Sequence, residues 1–379
     1  MTQEELSTLL ELLHRSHQLD PSSEEFLSVE RAAAHLEKSA KKKRRLARKR
    51  AKAARETLRD CYVCRSPRDE AHDTYAWMCV ACGEDSSSFK RLPMDLRGRR
   101  ALVTGGRVKV GYATTLRLVR AGAEVLVTTR FPRDAEKRFA AEPDAREWRE
   151  RLTVVGSDFR AVGQLVEQVE RWRAGPPFDI VINNAAQSVW HPRATFEALY
   201  AGEAQRPTDA LAPFFPRELS RLDLERVDSW QQTLGELSPV DLVEVQVVNS
   251  IAPALIVNGL RDNLRRSSFA DRYVVNVSAR EGQFGMAEKS PAHPHTNIAK
   301  AGLNMLTRTS AQDLRADGIF MVSVDPGWMS REGAHVPPDA EVPLTADDCA
   351  ARVLHPIAAG LAGAPLHGVL LKDYREVPW

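Results

Sequence analysis

Four cysteines, Cys61, Cys64, Cys79 and Cys82, fall as two pairs of two-residue spacing with fourteen residues between the pairs. Such a pair turns both thiolates toward one ion, and four sulfurs fill a tetrahedral shell with no position left for water. The spacing therefore predicts a structural zinc site of the ribbon or knuckle kind, not a catalytic one. His72, between the pairs, is an alternative ligand, and Cys349 stands alone. A second set, Thr104-Gly105-Gly106-Arg107-Val108-Lys109-Val110-Gly111, follows an apolar run at 100–103 and precedes a helical pattern from Tyr112 to Ala121. Glycines in a strand-to-helix turn let backbone N–H groups and the helix N-terminus approach a pyrophosphate. Lys109 is either a point charge for a nucleotide phosphate or an exposed surface lysine. A third set, Ser278, Glu281, His293, His295, Thr296 and Lys300, gathers hydroxyl and titratable groups in a short stretch. An imidazole there can move a proton near neutral pH without extreme tuning.

These residues need elements to hold them. The 379 residues exceed one ordinary domain, which predicts a large domain with something smaller. Apolar residues make up 43% and charged residues 27%, a globular balance, and no run of eighteen apolar residues calls for a bilayer. The first residues carry acids where a secretory signal would carry positive charge, so export is not expected and a cytoplasmic location is. In such a compartment paired cysteines point to metal before disulfide. Residues 38–59 hold twelve Lys or Arg against the single acid Glu56, a local +11 that leaves about −9 elsewhere. Any nucleic-acid contact must rest on that segment; the competing reading is a solvated helix leaning its alanine seam on the protein body or a second copy.

Helices are expected over 2–18, with a Thr2/Glu5 capping box, and from 22 toward 58. The division is then 1–60 as a basic helical extension, 61–93 as a zinc-ribbon-like segment and 94–379 as the main domain. The cysteine segment has little core of its own, so the metal would supply much of its folding free energy. From Arg99 onward strands alternate with helices: an α/β fold, a doubly wound, mainly parallel sheet covered on both faces.

The turn at 104–111 resembles the T-G-x-x-x-G-x-G turn of short-chain dehydrogenases/reductases, with Thr104, Gly105 and Gly111 in place and Lys109 where the middle glycine stands. Other marks follow in order. Strand 124–130 ends without the acid that would hold a ribose 2′-hydroxyl, and Arg130 beside that place suits a 2′-phosphate, with Arg107 and Arg133 able to assist. Asp158 falls where the family's aspartate contacts the adenine. Asn183-Asn184-Ala185-Ala186 resembles the N-N-A-G segment, and Pro326-Gly327 the turn near the nicotinamide, with Ser330 near its carboxamide. The resemblance covers about 280 residues and implies a Rossmann fold, NADP(H) rather than NAD(H), and a cofactor site of Thr104, Gly105, Arg107, Lys109, Val110, Gly111, Arg130, Asp158, Asn184, Ala185, Lys300, Pro326 and Gly327.

Members of that family combine asparagine, serine, tyrosine and lysine, the phenol being the acid/base whose pKa the lysine lowers. Here Asn249 and Lys300 fit, but Thr296 stands at the tyrosine position and no tyrosine lies between Tyr273 and Lys300. Ser278 is the available serine, although alignment on Gly282 places Ala279 there. A threonine hydroxyl is a far poorer proton donor than a phenol, so His295 or Glu281 becomes the candidate acid, with Thr296 as a substrate or water contact. The alternative is that the histidines only shape a loop. Asn249 comes 65 positions after Asn184, which implies an insertion at about 188–238 bearing Trp190, Phe196, Tyr200, Phe214, Phe215 and Trp230, either a lid over the site or a structural excursion.

The expected function is NADP(H)-dependent oxidoreduction of a small carbonyl or alcohol substrate by a homo-oligomer with no membrane role. Two alternatives stay open: a non-catalytic dinucleotide sensor or scaffold with a zinc-dependent partner-binding N-terminus, and dehydration or epimerisation on the same fold.

Overall fold

The computed structural model describes residues 20, 23, 24, 26, 60–187, 199, 201–203, 229–286, 289–329 and 341–379. The helices expected over 2–18 and, but for Ser23, Glu24 and Phe26, over 22–58, most of the insertion, and Ser330 lie outside the described residues. Two compact units make up the chain, Met1–Ala71 with Trp77–Cys79, and His72–Ala76 with Val80–Trp379.

In the first unit, Asp60 bridges Pro67 in antiparallel fashion. The Cys61 N–H bonds Ser66 O at 2.8 Å, and the Arg65 N–H bonds Cys61 O at 3.0 Å. Arg65 closes this tight turn in the left-handed region, φ 61°.

Among the described residues the second unit is built on eight strands: β1 Arg100–Thr104, β2 Glu124–Thr129, β3 Leu152–Gly156, β4 Ile180–Asn183, β5 Arg272–Val277, β6 Ile319–Asp325, β7 Leu370–Lys372 and β8 Arg375–Val377. Their order is β3-β2-β1-β4-β5-β6-β7-β8. All pairs are parallel except the last, where Asp373 and Tyr374, both left-handed, make a two-residue hairpin turn. The middle strands are apolar on both faces, as a sheet covered on both sides requires; every residue of β4 and β5 is buried.

Helices supply the two covers. α1 is Val80–Lys90, α2 Lys109–Arg120, α3 Pro132–Ala140, α4 Val162–Ala174, α5 Pro239–Gln246, α6 Ala252–Arg265, α7 Pro294–Ala316 and α8 Ala346–Leu361. One core layer joins Leu116 and Val119 of α2 with Val353 and Ile357 of α8. The opposite layer joins Leu165 and Val169 of α4, Ile256 and Leu260 of α6, and Leu314 of α7. The expected doubly wound α/β sheet is present. The span Pro239–Arg265 is long and apolar enough to cross a membrane by composition, with 56% of its most apolar window buried in this fold, the pattern of a core helix.

Two helices start earlier than their apolar pattern suggests. α2 begins at Lys109, not Tyr112, with Lys109 itself at φ 54°. α7 begins at Pro294, so His295 and Thr296 lie in its first turn, ahead of Lys300. Proline at the first helical position has its φ already set and no N–H to leave unpaired, which starts the helix there.

Candidate active site

The C-terminal ends of β1, β2, β4 and β5 open onto a cleft of about 560 Å3. The β1–α2 turn contributes Gly105, Arg107, Lys109, Val110 and Gly111. Glycine is required twice here. Gly105 sits at φ 71°, and a Cβ on it would stand 2.7 Å from Ala185 Cα; one on Gly111 would strike the Gly105 carbonyl. The turn thus presents bare backbone and the N-terminus of α2 to the cleft, the arrangement that receives a phosphate. Thr104 does not line the cleft; its Oγ1 accepts the N–H groups of Asn184 (3.0 Å) and Ala185 (2.9 Å). Asn184 Nδ2 in turn donates to the carbonyls of Thr104 and Gly105, both at 3.0 Å, so the N-N-A segment and the turn hold each other.

At the end of β2, Arg130 and Phe131 line the cleft with Arg107. The Arg107 guanidinium lies 5.1 Å and that of Arg130 5.7 Å from the centre of the Phe131 ring. Arg107 is also paired with Asp134 at 2.9 Å. Arg133 is placed elsewhere, donating to Gly202 O. Asp158 lines the cleft, with both carboxylate oxygens on Arg160 at 2.7–3.2 Å. Arg160 also faces Glu244 at 3.4 Å, whose pKa burial pushes up against the pull of Arg160 and Gln187. Gln187, which the sequence gives no reason to single out beyond its place after Asn183-Asn184-Ala185-Ala186, lines the cleft and reaches Glu244 with its amide at 2.8 Å.

Farther along the cleft lie Val277, Ser278, Ala279 and Lys300. Lys300 is buried at the edge of the cleft, its Nζ donating to Val277 O at 2.7 Å, and burial pulls its pKa down to about 8 while the carboxylates of Glu281 and Asp325 act the other way. Gly282 permits this approach, since a Cβ there would stand 2.7 Å from the Lys300 carbonyl. Ser278 Oγ is buried with no hydrogen-bond partner among the described residues. Asn249 is wholly buried in a π-helical turn, Val247–Ile251, between α5 and α6. Its amide ties to the Gln187 backbone at both ends, accepting the N–H at 2.7 Å and donating to the carbonyl at 3.1 Å. Asn249 therefore positions the cleft wall and does not form it.

His295 and Thr296 face differently from what their numbers suggest. Both are buried and neither lines the cleft; His295 Nδ1 and Thr296 Oγ1 have no partner among the described residues. Burial, and then the neighbouring His293, push the His295 pKa down to about 4, so the ring is neutral at pH 7. Pro326 and Gly327 also lie off the cleft lining; the Gly327 N–H bonds Asp325 Oδ1 at 3.0 Å.

The cysteine sulfurs of Cys61, Cys64, Cys79 and Cys82 all lie within 4.8 Å of one another. Cys64 and Cys79 Sγ are 3.9 Å apart, near the ~3.8 Å edge of a tetrahedron of ~2.3 Å zinc–sulfur bonds and far beyond a disulfide. The Cys79 N–H points to Cys61 Sγ at 3.3 Å. His72 is not part of the group: its Nδ1 accepts from Thr74 N at 3.1 Å and its Nε2 faces Glu84 at 3.5 Å.

Comparison with known proteins agrees with this architecture. Residues 99–205 match the family described as short chain dehydrogenase. An uncharacterised protein of Acanthamoeba polyphaga mimivirus is 33% identical over 342 residues, 79% of this chain and 72% of that one. A probable oxidoreductase of Streptomyces lividans is 27% identical over 252 residues, 64% of this chain and 69% of that one. Among solved structures, NADPH-bound carbonyl reductase from chicken fatty liver superposes with a TM-score of 0.52 at 20% identity, over 75% of this chain and all of the other.

Proposed function

From the premise that the chain belongs to the short-chain dehydrogenase/reductase family, we propose that it is an NADP(H)-dependent oxidoreductase acting on a carbonyl or alcohol substrate. The observation that carries the reading is the cleft itself, in which a glycine turn at a helix N-terminus, the guanidiniums of Arg107 on that turn and Arg130 at the end of β2, and a buried lysine share one cavity. The fit is chemical as well as steric. The turn offers N–H groups to a pyrophosphate, Arg130 and Arg107 suit a 2′-phosphate, and the Lys300 ammonium with the bare Ser278 hydroxyl suits a ribose and a carboxamide or carbonyl oxygen. Lysine at 109, in the left-handed conformation, adds a positive charge beside the phosphates. A bound NADPH supplies hydride to a carbonyl carbon. That the Streptomyces relative is named a probable oxidoreductase and the superposed structure an NADPH-bound carbonyl reductase supports the reading.

The four thiolates would hold one structural zinc. Exposed Ile251, Ile298 and Met305 on and beside α6 and α7 support a homo-oligomer formed through those helices. One observation favours the sensor alternative, the placing of Thr296 off the cleft with no tyrosine among the described residues that line it. The deciding experiment is calorimetry with NADPH and NADH followed by NADPH oxidation across a panel of aldehydes, ketones and quinones. Tight NADPH binding with turnover supports the enzyme, binding without turnover the sensor, and no binding overturns both.

A further inference from the structure

A second cavity, of about 500 Å3, lies beyond the turn Arg280–Gly282, bounded by Trp230, Arg280, Glu281, Lys289, His293 and Asn297. The two cavities are neighbours along the chain: Ala279 lines the nucleotide cleft and Arg280 the second cavity.

His293 is held in this cavity with unusual care. It caps α7 at φ 46°, ψ 47°, a left-handed conformation that a residue with a side chain keeps only where its surroundings impose it. Its N–H bonds Gln232 O at 2.8 Å, and its carbonyl accepts from Thr296 N (3.1 Å) and Asn297 Nδ2 (3.0 Å). The ring stacks on Trp230, centroids 4.0 Å apart and planes 9° off parallel. Nδ1 lies 2.9 Å from Trp230 O. A carbonyl can only accept, so Nδ1 carries the hydrogen, and Nε2 is left to gain or lose a proton. That Nε2 faces Glu281 Oε1 at 4.0 Å. Among the described residues, the other charged or titratable groups around the ring are Arg280 on the same turn as Glu281, Lys289, whose Nζ donates to Glu281 O and to Asn297 Oδ1 at 2.9 Å, and His295 in the first turn of α7. Trp230 and Gln232 come from the end of the insertion, which thus supplies the clamp on this imidazole.

We propose that the second cavity seats the carbonyl substrate and that His293, oriented by Trp230 with its Nε2 toward Glu281, donates the proton that a phenol at position 296 would otherwise give. The proposal rests on the oxidoreductase reading above. As the carbonyl carbon gains its hydride, the C=O π pair moves to oxygen, which takes the proton from His293 Nε2. An O–H bond forms, an N–H bond breaks, and the neutral imidazole recovers its proton from solvent. Reduction therefore draws one proton from His293 per turnover.

The test pairs an activity-independent measurement with turnover. Imidazole nitrogen-15 spectra of the full chain should show Nδ1 of His293 carrying its hydrogen, as the bond to Trp230 O requires. His293→Asn, which tolerates the left-handed backbone, should leave NADPH affinity unchanged and the chain folded, with a melting temperature lowered by the lost stack on Trp230. It should cut reduction of the fastest carbonyl compound in the panel by about 100-fold. An Nε2–H tautomer with Nδ1 bare, or turnover retained in His293→Asn, overturns the proposal while leaving the oxidoreductase reading intact. A wild-type protein that binds NADPH but reduces nothing overturns that reading and the proton-donor role with it.

Discussion

Burial of the Lys300 ammonium under Val277 brings its pKa down to about 8, so below pH 8 the folded protein carries an enclosed charge that the unfolded chain would expose to water. Between pH 8 and 10.5 the unfolded state holds more protons than the folded one, and stability rises with pH across that window. At neutral pH the shift corresponds to a cost of about 3 kcal/mol, less what the bond to Val277 O returns. Lys300→Met should therefore be more stable than wild type by about 1–3 kcal/mol in urea unfolding at pH 7, with the gap closing toward pH 10.5. The same variant should bind NADPH at least about tenfold more weakly, losing a charge-assisted contact. Arg130→Ala tests the other end of the cleft. Removing a guanidinium from a phosphate costs about 1.5–3 kcal/mol, so calorimetry should show NADPH affinity down roughly 10- to 100-fold and NADH affinity unchanged.

At the scale of elements, the turn after β1 and the first turn of α7 make opposite points about sequence. The former was legible because an apolar run, a glycine turn and a helical pattern follow one another locally, and each glycine answers a contact that a Cβ would break. Gly105→Ala should lower stability by about 2–4 kcal/mol in denaturant titration, since it adds a left-handed alanine to a contact already tight. The start of α7 was not legible, because His-Pro-His shows no apolar period and a left-handed histidine gives no pattern. His293 and Glu281 were visible only as titratable neighbours in sequence. What separates His293 from His295 is contact with Trp230, about sixty residues away, and burial, neither of which spacing records. The buried His295, with its pKa down near 4, sets an acid limit on the fold. The unfolded state takes up a proton below about pH 6.5 that the folded state refuses down to about 4. Stability contributed by the neutral ring is complete above 6.5 and lost as pH falls. Between pH 7 and 5, wild type should lose about 2 kcal/mol more than His295→Gln in urea unfolding.

At the scale of the whole molecule, the alternation of strands and helices fixed the sheet and both its covers, but it carried no sign of the closing hairpin β7–β8, whose turn residues Asp373 and Tyr374 lack the glycine that usually marks such a bend. The cysteine group was legible from spacing alone, and the metal can be tested without any substrate. Mass spectrometry of native protein should find one zinc per chain, and Cys61→Ser or Cys79→Ser should lose it, with greater protease sensitivity around residues 61–82. NADPH binding should survive, because the cleft is lined by other residues.

Helix α1, which begins directly after Cys79, ends in Lys90, and Lys90 reaches Asp348 at 2.7 Å. Tyr75 donates to the same carboxylate at 2.8 Å, while Asp348 also closes the capping box of α8 with Thr345. The carboxyl is held below its usual range although burial opposes this, because Lys90, Thr345 and Tyr75 together outweigh it. Anyone trimming this protein to its sheet-bearing unit should therefore cut upstream of Cys61, which keeps Tyr75, Lys90 and the four cysteines together. A fragment beginning at 94 strips two of three partners from an enclosed anion at the mouth of the last helix, and it inherits a flaw that its own sequence cannot mend.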